Sequence, residues 1–358
     1  MLLSLAFSST LLLAKLSGLA IFPITFILIL TRVFSGKPLE WRLGRPRVIT
    51  SPAAQGGVFA GLLILHVLCA WAVPCGHYDF RIYANPHPED KGLVFTHYVD
   101  SDPIDSRVAV IMDWTREVHL LPEGFLEGVH TLLTSNDSRE SFVSGRWYVG
   151  GDRLFFLNAL WDKTPPALYC LLIIAIAGWV WPWRRSLRSE PKAEGDAAGA
   201  IPQLYNAMPY IVLIAVFLFI AILQNVDIGH RHILPIYPPL YILVGGALAL
   251  VWTRARAWAR LILALLLAVL PLEAVLTYPN YLAYFSPLVG GTNQGYRRLV
   301  NSSLDWGMDL PALKQWLDVN NPDNKEPVFL AYFGTDSPEY YGIFVNRLPS
   351  TPDWRVKR

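Results

Sequence analysis

The sequence predicts a mainly α-helical, polytopic membrane bundle of about six spans, or about seven if its first hydrophobic block makes two passes. An external loop domain of about 90 residues and a small external αβ region at the C-terminus complete the expected architecture. Composition is the first indication: 53% of residues are hydrophobic and 16% charged, with positive mean hydropathy, whereas an ordinary soluble protein carries roughly 25% charged residues. The second is spacing, since the apolar residues come in span-length blocks separated by polar stretches rather than at the periodicity of a water-soluble core. The third is the sorting of charge between those stretches. Together they nearly exclude a soluble enzyme. A net charge of +2, with no basic run interleaved with aromatics, gives no indication of a nucleic-acid partner.

The first block runs from Met1 to Leu30 with Lys15 near its centre. It is long for one upright helix and short for two full crossings, so a tilted span or a tight hairpin is expected. A lysine at that position is costly unless it snorkels, pairs or faces a wet cavity. A signal peptide over Met1 to Ala14 is the bland alternative, but it lacks a basic leading region and a polar mature sequence behind it. The other expected spans are Gly56 to Val73, Pro166 to Trp183, Ala207 to Gln224, Leu234 to Trp252 and Leu261 to Tyr278.

Orientation follows from the gaps. Arg32, Lys37, Arg42, Arg45 and Arg47 follow the first block, Arg184, Arg185, Arg188 and Lys192 the third, and Arg254, Arg256 and Arg260 the fifth, which places those gaps in the cytoplasm. The stretch from Cys75 to Lys163 carries 14 acidic and 8 basic residues and belongs outside. The alternation also leaves the tail from Pro279 outside, as expected for a multi-pass protein of the plasma membrane. The resulting organisation is spans and a basic cytoplasmic loop in 1–74, the external loop in 75–163, spans in 164–278 and the external αβ region in 279–358. Cys69, Cys75 and Cys170 are too few for a disulfide framework.

Within the external loop, Leu121 to Leu133 reads as a short helix with Pro122 in its first turn. An aromatic-rich run follows, Trp147, Tyr148, Phe155, Phe156 and Trp161, ending in Asp162-Lys163-Thr164-Pro165-Pro166. It reads as an interfacial belt before ligand contact is considered. In the tail, Leu310, Leu313, Trp316 and Leu317 mark one face of a helix beginning near Trp306, and Val328 to Phe333 reads as a strand. The segment from Ser186 to Ala200 reads as a solvated linker.

Gly229-His230-Arg231-His232 brings three cation-capable side chains to the outer end of a span, followed by Pro235, Pro238 and Pro239. Arginine offers a bidentate fork and histidine can donate as imidazolium, so a phosphate site and a plain interfacial anchor both fit. In the run Asn301 to Leu310, Asp305 either caps the following helix or contacts a ligand, and Asp309 complements the helix dipole. Asp100-Ser101-Asp102 is similar to the acidic motif that holds a metal and nucleotide diphosphate in soluble glycosyltransferases, but no nucleotide-binding domain surrounds it. His230 and His232 lack a third ligand, so no metal site is expected. Asn136-Asp137-Ser138 and Asn301-Ser302-Ser303 are formal glycosylation sequons.

Several stretches taken in order resemble bacterial phospholipid-carrier-dependent glycosyltransferases of the GT-C membrane superfamily, with protein O-mannosyltransferases and aminoarabinose transferases as relatives. They are Leu121-Pro-Glu-Gly-Phe-Leu-Glu-Gly, Trp147-Tyr through Lys163-Thr-Pro-Pro, His230-Arg-His-Ile-Leu-Pro-Ile-Tyr-Pro, Tyr278-Pro-Asn-Tyr-Leu-Ala-Tyr-Phe, Ser303-Leu-Asp-Trp-Gly-Met-Asp-Leu, and Tyr332-Phe-Gly with Tyr340-Tyr-Gly. Ala14-Lys15-Leu16-Ser17 looks like the family's lysine-containing span. No single motif is diagnostic; their shared order carries the resemblance.

The resemblance implies inverting transfer of a sugar from a polyprenyl-phosphate-linked donor to a glycan, lipid or protein acceptor at the outer face, with no further cofactor assigned. It also implies a catalytic base in an acidic external loop after the family's first span. That loop would precede Met1, so an N-terminally truncated chain is expected and the catalytic residue is unassigned here. By the same reasoning, Arg231, with His230, His232 and Lys15, is expected to clamp the carrier phosphate, while Glu123 and Asp305 are weaker candidates for acceptor or sugar contacts. A non-catalytic membrane protein with an external glycan- or partner-binding domain is the alternative. A transporter fits less well, since the polar segments are long and paired repeats are lacking.

Overall fold

The computed structural model describes residues 2–42, 45–80, 106–134, 140–188, 200–223, 227, 229–332, 334 and 336–348. The first hydrophobic block breaks in two. Leu2–Ala14 forms α1 and Ile21–Phe34 forms α2, separated by Lys15 in extended conformation and a 3₁₀ turn over Leu16–Ala20. Gly18 permits the fold-back, because a Cβ there would stand 2.8 Å from the Leu11 carbonyl oxygen. Strands β1 (Leu39–Trp41) and β2 (Arg47–Ile49) then form an antiparallel hairpin, which leads into α3 (Pro52–His77). The next segment carries α4 (Ser106–Glu117), α5 (Glu123–Thr134), the antiparallel pair β3 (Glu140–Val143) and β4 (Arg146–Val149), and α6 (Phe155–Lys163). Helices α7 (Pro166–Arg188), α8 (Ala200–Leu223), α9 (Tyr237–Arg254) and α10 (Ala257–Thr277) follow. The tail contributes α11 (Leu310–Asn320) and two parallel two-residue strands, β5 (Phe329–Leu330) and β6 (Asn346–Arg347).

Five segments are long and apolar enough to cross a bilayer: Ser17–Phe34, Pro52–His77, Leu204–Leu223, His230–Arg254 and Ala257–Thr277. A sixth arises if α6 and α7, bent by 105°, count together. This is a mainly helical chain with the helix set of a multi-pass membrane bundle. Its surface agrees, since Ile173, Phe219 and Leu265 are all more than half exposed on such helices. Apolar exposure of that kind is tolerated in lipid and promotes association in water.

Contacts at the helix ends give the sense of the first three helices. Buried Gln55 donates from Nε2 to the Lys37 and Ile49 carbonyls, both at 3.0 Å, which pins the end of α2 to the start of α3. At the other end, the 3₁₀ turn after Lys15 meets α5, and so does Tyr78 just beyond α3. Helix α2 is therefore antiparallel to α3, whereas α1 is parallel to it. The contact between Ser4 Oγ and His66 Nε2, 2.9 Å apart, fits this sense, as each residue lies about 16 Å from the α5 end at ~1.5 Å per residue. Of the two expected forms of the first block, the hairpin is the one found. One end of the bundle thus carries the basic β1–β2 hairpin, the other the polar segments; these are the basic and the loop-rich faces.

Packing joins distant parts of the chain. Leu171 and Ala175 of α7 meet Val244 and Leu248 of α9 and Leu263 of α10. Gly178 allows that approach, since a Cβ there would lie 2.2 Å from Val251 Cγ2. At the loop-rich face one buried cluster unites Val143, Phe155, Phe156, Ala221, Ile233, Ile236, Phe285 and Leu299. The tail also bonds to the β3–β4 turn, where Ser144 N donates to the Arg298 carbonyl at 2.8 Å.

Local readings differ in two places. The tail helix begins at Leu310 rather than near Trp306, because Asp305 Oδ1 accepts from Gly307 N (2.7 Å) and Gly307 adopts φ 79°, closing a turn ahead of the helix. Asp305 is therefore not the cap; Asp309 takes the N-cap position, without a side-chain bond. The expected strand over Val328 to Phe333 contracts to Phe329–Leu330, and Phe333 lies outside the described residues. Among the described residues β structure consists of three two-stranded ladders and an isolated antiparallel bridge between Val143 and Leu299.

Candidate functional site

The site is assembled around the turn between α8 and α9. Residues His230–Ile236 form a 3₁₀ turn, and α9 starts at Tyr237 with Pro in its first turn, where no backbone N–H is required. Gly229 has extended backbone, and its lack of a side chain matters for space: a Cβ would stand 2.2 Å from Ser302 Oγ. That close approach brings the His-Arg-His turn onto the Ser303-Leu-Asp-Trp motif. His230 N donates to Ser303 Oγ at 3.2 Å, and the Arg231 guanidinium carbon lies 4.8 Å from the Trp306 ring centroid.

The three cation-capable residues do different things. Arg231 is exposed over Trp306, so its charge remains accessible. His230 Nε2 is 2.8 Å from the Tyr237 hydroxyl, which is itself 3.1 Å from Thr164 Oγ1. This chain ties the turn to the start of α7 and engages one of the two imidazole nitrogens. His232 is partly buried, with its ring 6.4 Å from that of Phe156 at an interplanar angle of 69°.

Beside this network lies the α6–α7 elbow. Asp162 is fully buried, and its Oδ1 accepts from Arg298 Nη2 (2.8 Å) and Nε (3.1 Å). Lys163 Nζ donates to the carbonyls of Leu282 (2.9 Å) and Tyr284 (2.7 Å) and stands 3.6 Å from the Phe285 ring centroid. These bonds satisfy carbonyls in and just after a single 3₁₀ turn over Tyr281–Ala283, where no longer helix continues. The Tyr284 phenol is pushed up from its ordinary value, first by burial and then by the Glu273 carboxylate. Further along the tail, Tyr332 donates its hydroxyl to the Gly307 carbonyl, so the Tyr332 motif closes on the Asp305 turn.

Asp227 is buried between the same elements. Its Oδ2 accepts from the Asp152 backbone N–H, and Oδ1 has no partner among the described residues. Burial, with a smaller contribution from the Asp152 charge, raises its carboxyl to about 6 despite the backbone bond that opposes the shift.

Lys15 and Glu123 belong to a second neighbourhood. Lys15 is exposed where the hairpin breaks, and the turn that follows it contacts α5. Glu123 opens α5, buried and paired with Arg116 Nε at 3.0 Å. Between α1, α2 and α3 is an apolar cavity of about 820 Å³, walled by residues including Leu11, Phe22, Leu28 and Leu63. Ala14 and Ile21, on either side of the Lys15 break, line its loop-rich end, and Arg32 lines the basic end.

Thr164, Tyr237, Asp162, Arg298 and Asp227 were not candidates from sequence. Asp162 and Thr164 lie in the charged elbow before a double proline and Tyr237 in the motif that begins at His230, but Arg298 and Asp227 carry no local signal, and the Arg298–Asp162 pair spans 136 residues. Asp100-Ser101-Asp102 and the sequon at Asn136 fall outside the described residues. Among those described, no three His, Cys, Asp or Glu side chains gather as a metal set. Compared with known proteins, the chain matches no family model, no curated protein and no solved structure.

Proposed function

We propose that this chain is a membrane glycosyltransferase, or a part of one, that moves a sugar from a polyprenyl-phosphate carrier to an acceptor at the loop-rich, outer face. The observation that carries the reading is the apolar cavity whose loop-rich end is flanked by the Lys15 break. A polyprenyl tail needs an apolar site at membrane depth, and its phosphate needs a cation where that site meets water. The convergence of the His-Arg-His turn with the Asp305 and Thr164 motifs supports it independently, because those stretches were grouped by resemblance alone.

In the reaction, an acceptor oxygen bonds to the anomeric carbon while the bond from that carbon to the carrier phosphate breaks. The phosphate leaves with the electron pair, and a base takes the acceptor proton. Accessible cations stabilise the departing phosphate. Arg231 and Lys15 suit that part, whereas His230, held by Tyr237, positions the turn. Asp305 fixes the local turn through Gly307, and Glu123 anchors α5. The catalytic base is unassigned.

The test is release of labelled sugar from a polyprenyl-phosphate donor by the chain in lipid nanodiscs, with a cell-envelope fraction as acceptor. Arg231→Ala should lower transfer at least tenfold while Arg297→Ala leaves it near normal. Undiminished transfer by Arg231→Ala would remove the clamp. Glycan binding with neither transfer nor carrier binding would favour a non-catalytic envelope protein.

A further inference from the structure

The basic face carries a second feature that the proposed reaction does not use. Strands β1 and β2 pair Leu39 with Ile49, Glu40 with Val48 and Trp41 with Arg47. Because side chains alternate along a strand, Leu39, Trp41, Arg47 and Ile49 share one face of the hairpin, and Glu40 and Val48 the other. Trp41, Arg45, Arg47 and Ile49 line a concavity of about 400 Å³ closed by Val58 of α3. Val58 is about 9 Å along α3 from its first residue at ~1.5 Å per residue, so the concavity runs from the hairpin to the second turn of this span-length apolar helix.

The cations here are spoken for unequally. Arg42 is paired with Glu40 at 2.7 Å on the exposed rim. Arg45 and Arg47 are exposed and have no acidic partner among the described residues. Two arginines, an indole and two aliphatic side chains therefore meet at one membrane-edge pocket. Arginine presents a planar fork matched to phosphate oxygens, tryptophan settles at the headgroup level, and basic pockets on the cytoplasmic side of spans take anionic headgroups.

We propose that this pocket binds the phosphate of an anionic phospholipid of the leaflet on the basic face, with Arg45 and Arg47 on the phosphate, Trp41 at headgroup level, and Ile49 and Val58 against the first acyl carbons. The site is independent of the proposed sugar transfer and lies at the opposite face from Arg231. It makes β1–β2 a fastening of the α2–α3 connection to the membrane surface.

Native mass spectrometry of the full chain released from detergent tests it, with phosphatidylglycerol, phosphatidylcholine and inorganic phosphate titrated separately. Phosphatidylglycerol should bind in preference to phosphatidylcholine. At about 1 kcal/mol per basic residue at such a surface, Arg45→Gln or Arg47→Gln should each weaken that binding about fivefold and the double variant about 25-fold. Arg42→Gln, whose partner is Glu40, should leave it within about twofold. Equal binding of the two lipids, equal loss in Arg42→Gln, or an unchanged affinity in the double variant would overturn the proposal. Saturation of the site by inorganic phosphate alone, abolishing lipid binding, would overturn the lipid as its ligand. None of these readouts depends on transferase activity.

Discussion

Arg298→Ala should be among the most damaging single substitutions at the loop-rich face, and the geometry says why. Asp162 is fully buried, and both of its charge-assisted bonds come from Arg298 to the one oxygen, Oδ1; Oδ2 has no partner among the described residues. Removing the guanidinium strips the buried carboxylate of both its bonds and leaves the neighbouring Lys163 as its nearest positive charge, at a cost of about 3–5 kcal/mol. Asp162→Asn is a milder change. It deletes the charge that needs compensation, and Arg298, with its side chain 29% exposed, can turn to water; about 1–2 kcal/mol is expected. Combining the two should therefore cost less than the sum, with a coupling of about 2 kcal/mol. Denaturation in mixed micelles, followed by tryptophan fluorescence, measures each step of that cycle. Proteolysis should also cut the Arg298→Ala tail faster, since the lost guanidinium bonds to Asp162 tie the tail to α6. Additive losses, or an Arg298→Ala variant within about 0.5 kcal/mol of the parent, would refute the reasoning.

Other substitutions follow from single contacts. Tyr237→Phe removes the hydroxyl that links His230 and Thr164 and should cost about 1–2 kcal/mol, read in the same denaturation assay, with no such loss when Tyr241 is changed to Phe. Gly178→Ala places a methyl 2.2 Å from Val251 Cγ2 and should destabilise by about 1–3 kcal/mol, with recovery in the Gly178→Ala/Val251→Ala pair. Asp227 sets a pH dependence. Its folded carboxyl, raised from 3.8 to about 6, keeps its proton in the folded state where the unfolded chain loses it. Its stabilisation is therefore full below about pH 4 and fades as pH rises through 6, by an amount on the order of 3 kcal/mol. The difference in stability between the parent and Asp227→Asn, measured from pH 4 to 8, should show that slope; a flat difference would contradict it.

The helical membrane architecture was legible in the sequence because span length, loop charge and helix-breaking residues are local properties. The blocks from Gly56 and from Pro166 onwards fall on helices α3 and α7 to α10, and the hairpin within Met1 to Leu30 was one of two forms the length allowed. Short elements were less legible. At Asp305 a carboxylate closes a turn on Gly307 N, although the same residue type just ahead of an apolar periodic run ordinarily signals a helix cap. The site was half visible. Arg231 stands out as an arginine between two histidines at the end of an apolar block, but much of what holds its turn is distant in sequence: Ser302 lies against Gly229, Ser303 accepts from His230 N, and Thr164 contacts the Tyr237 hydroxyl that meets His230. Such pairings depend on the tertiary packing of α6, α7 and the tail, which no local pattern encodes.

If the cavity between α1, α2 and α3 and the Lys15 break together hold a polyprenyl phosphate, as proposed, the lipid's charge must count towards its binding. Affinity of the full chain for polyprenyl monophosphate against the uncharged polyprenol, measured by native mass spectrometry on the parent and on Lys15→Ala, tests it most directly. The parent should prefer the phosphate, and Lys15→Ala should lose at least fivefold of that preference while its phosphatidylglycerol binding stays unchanged. Equal affinity for phosphate and alcohol, or a Lys15→Ala chain that still prefers the phosphate as strongly as the parent, would contradict it.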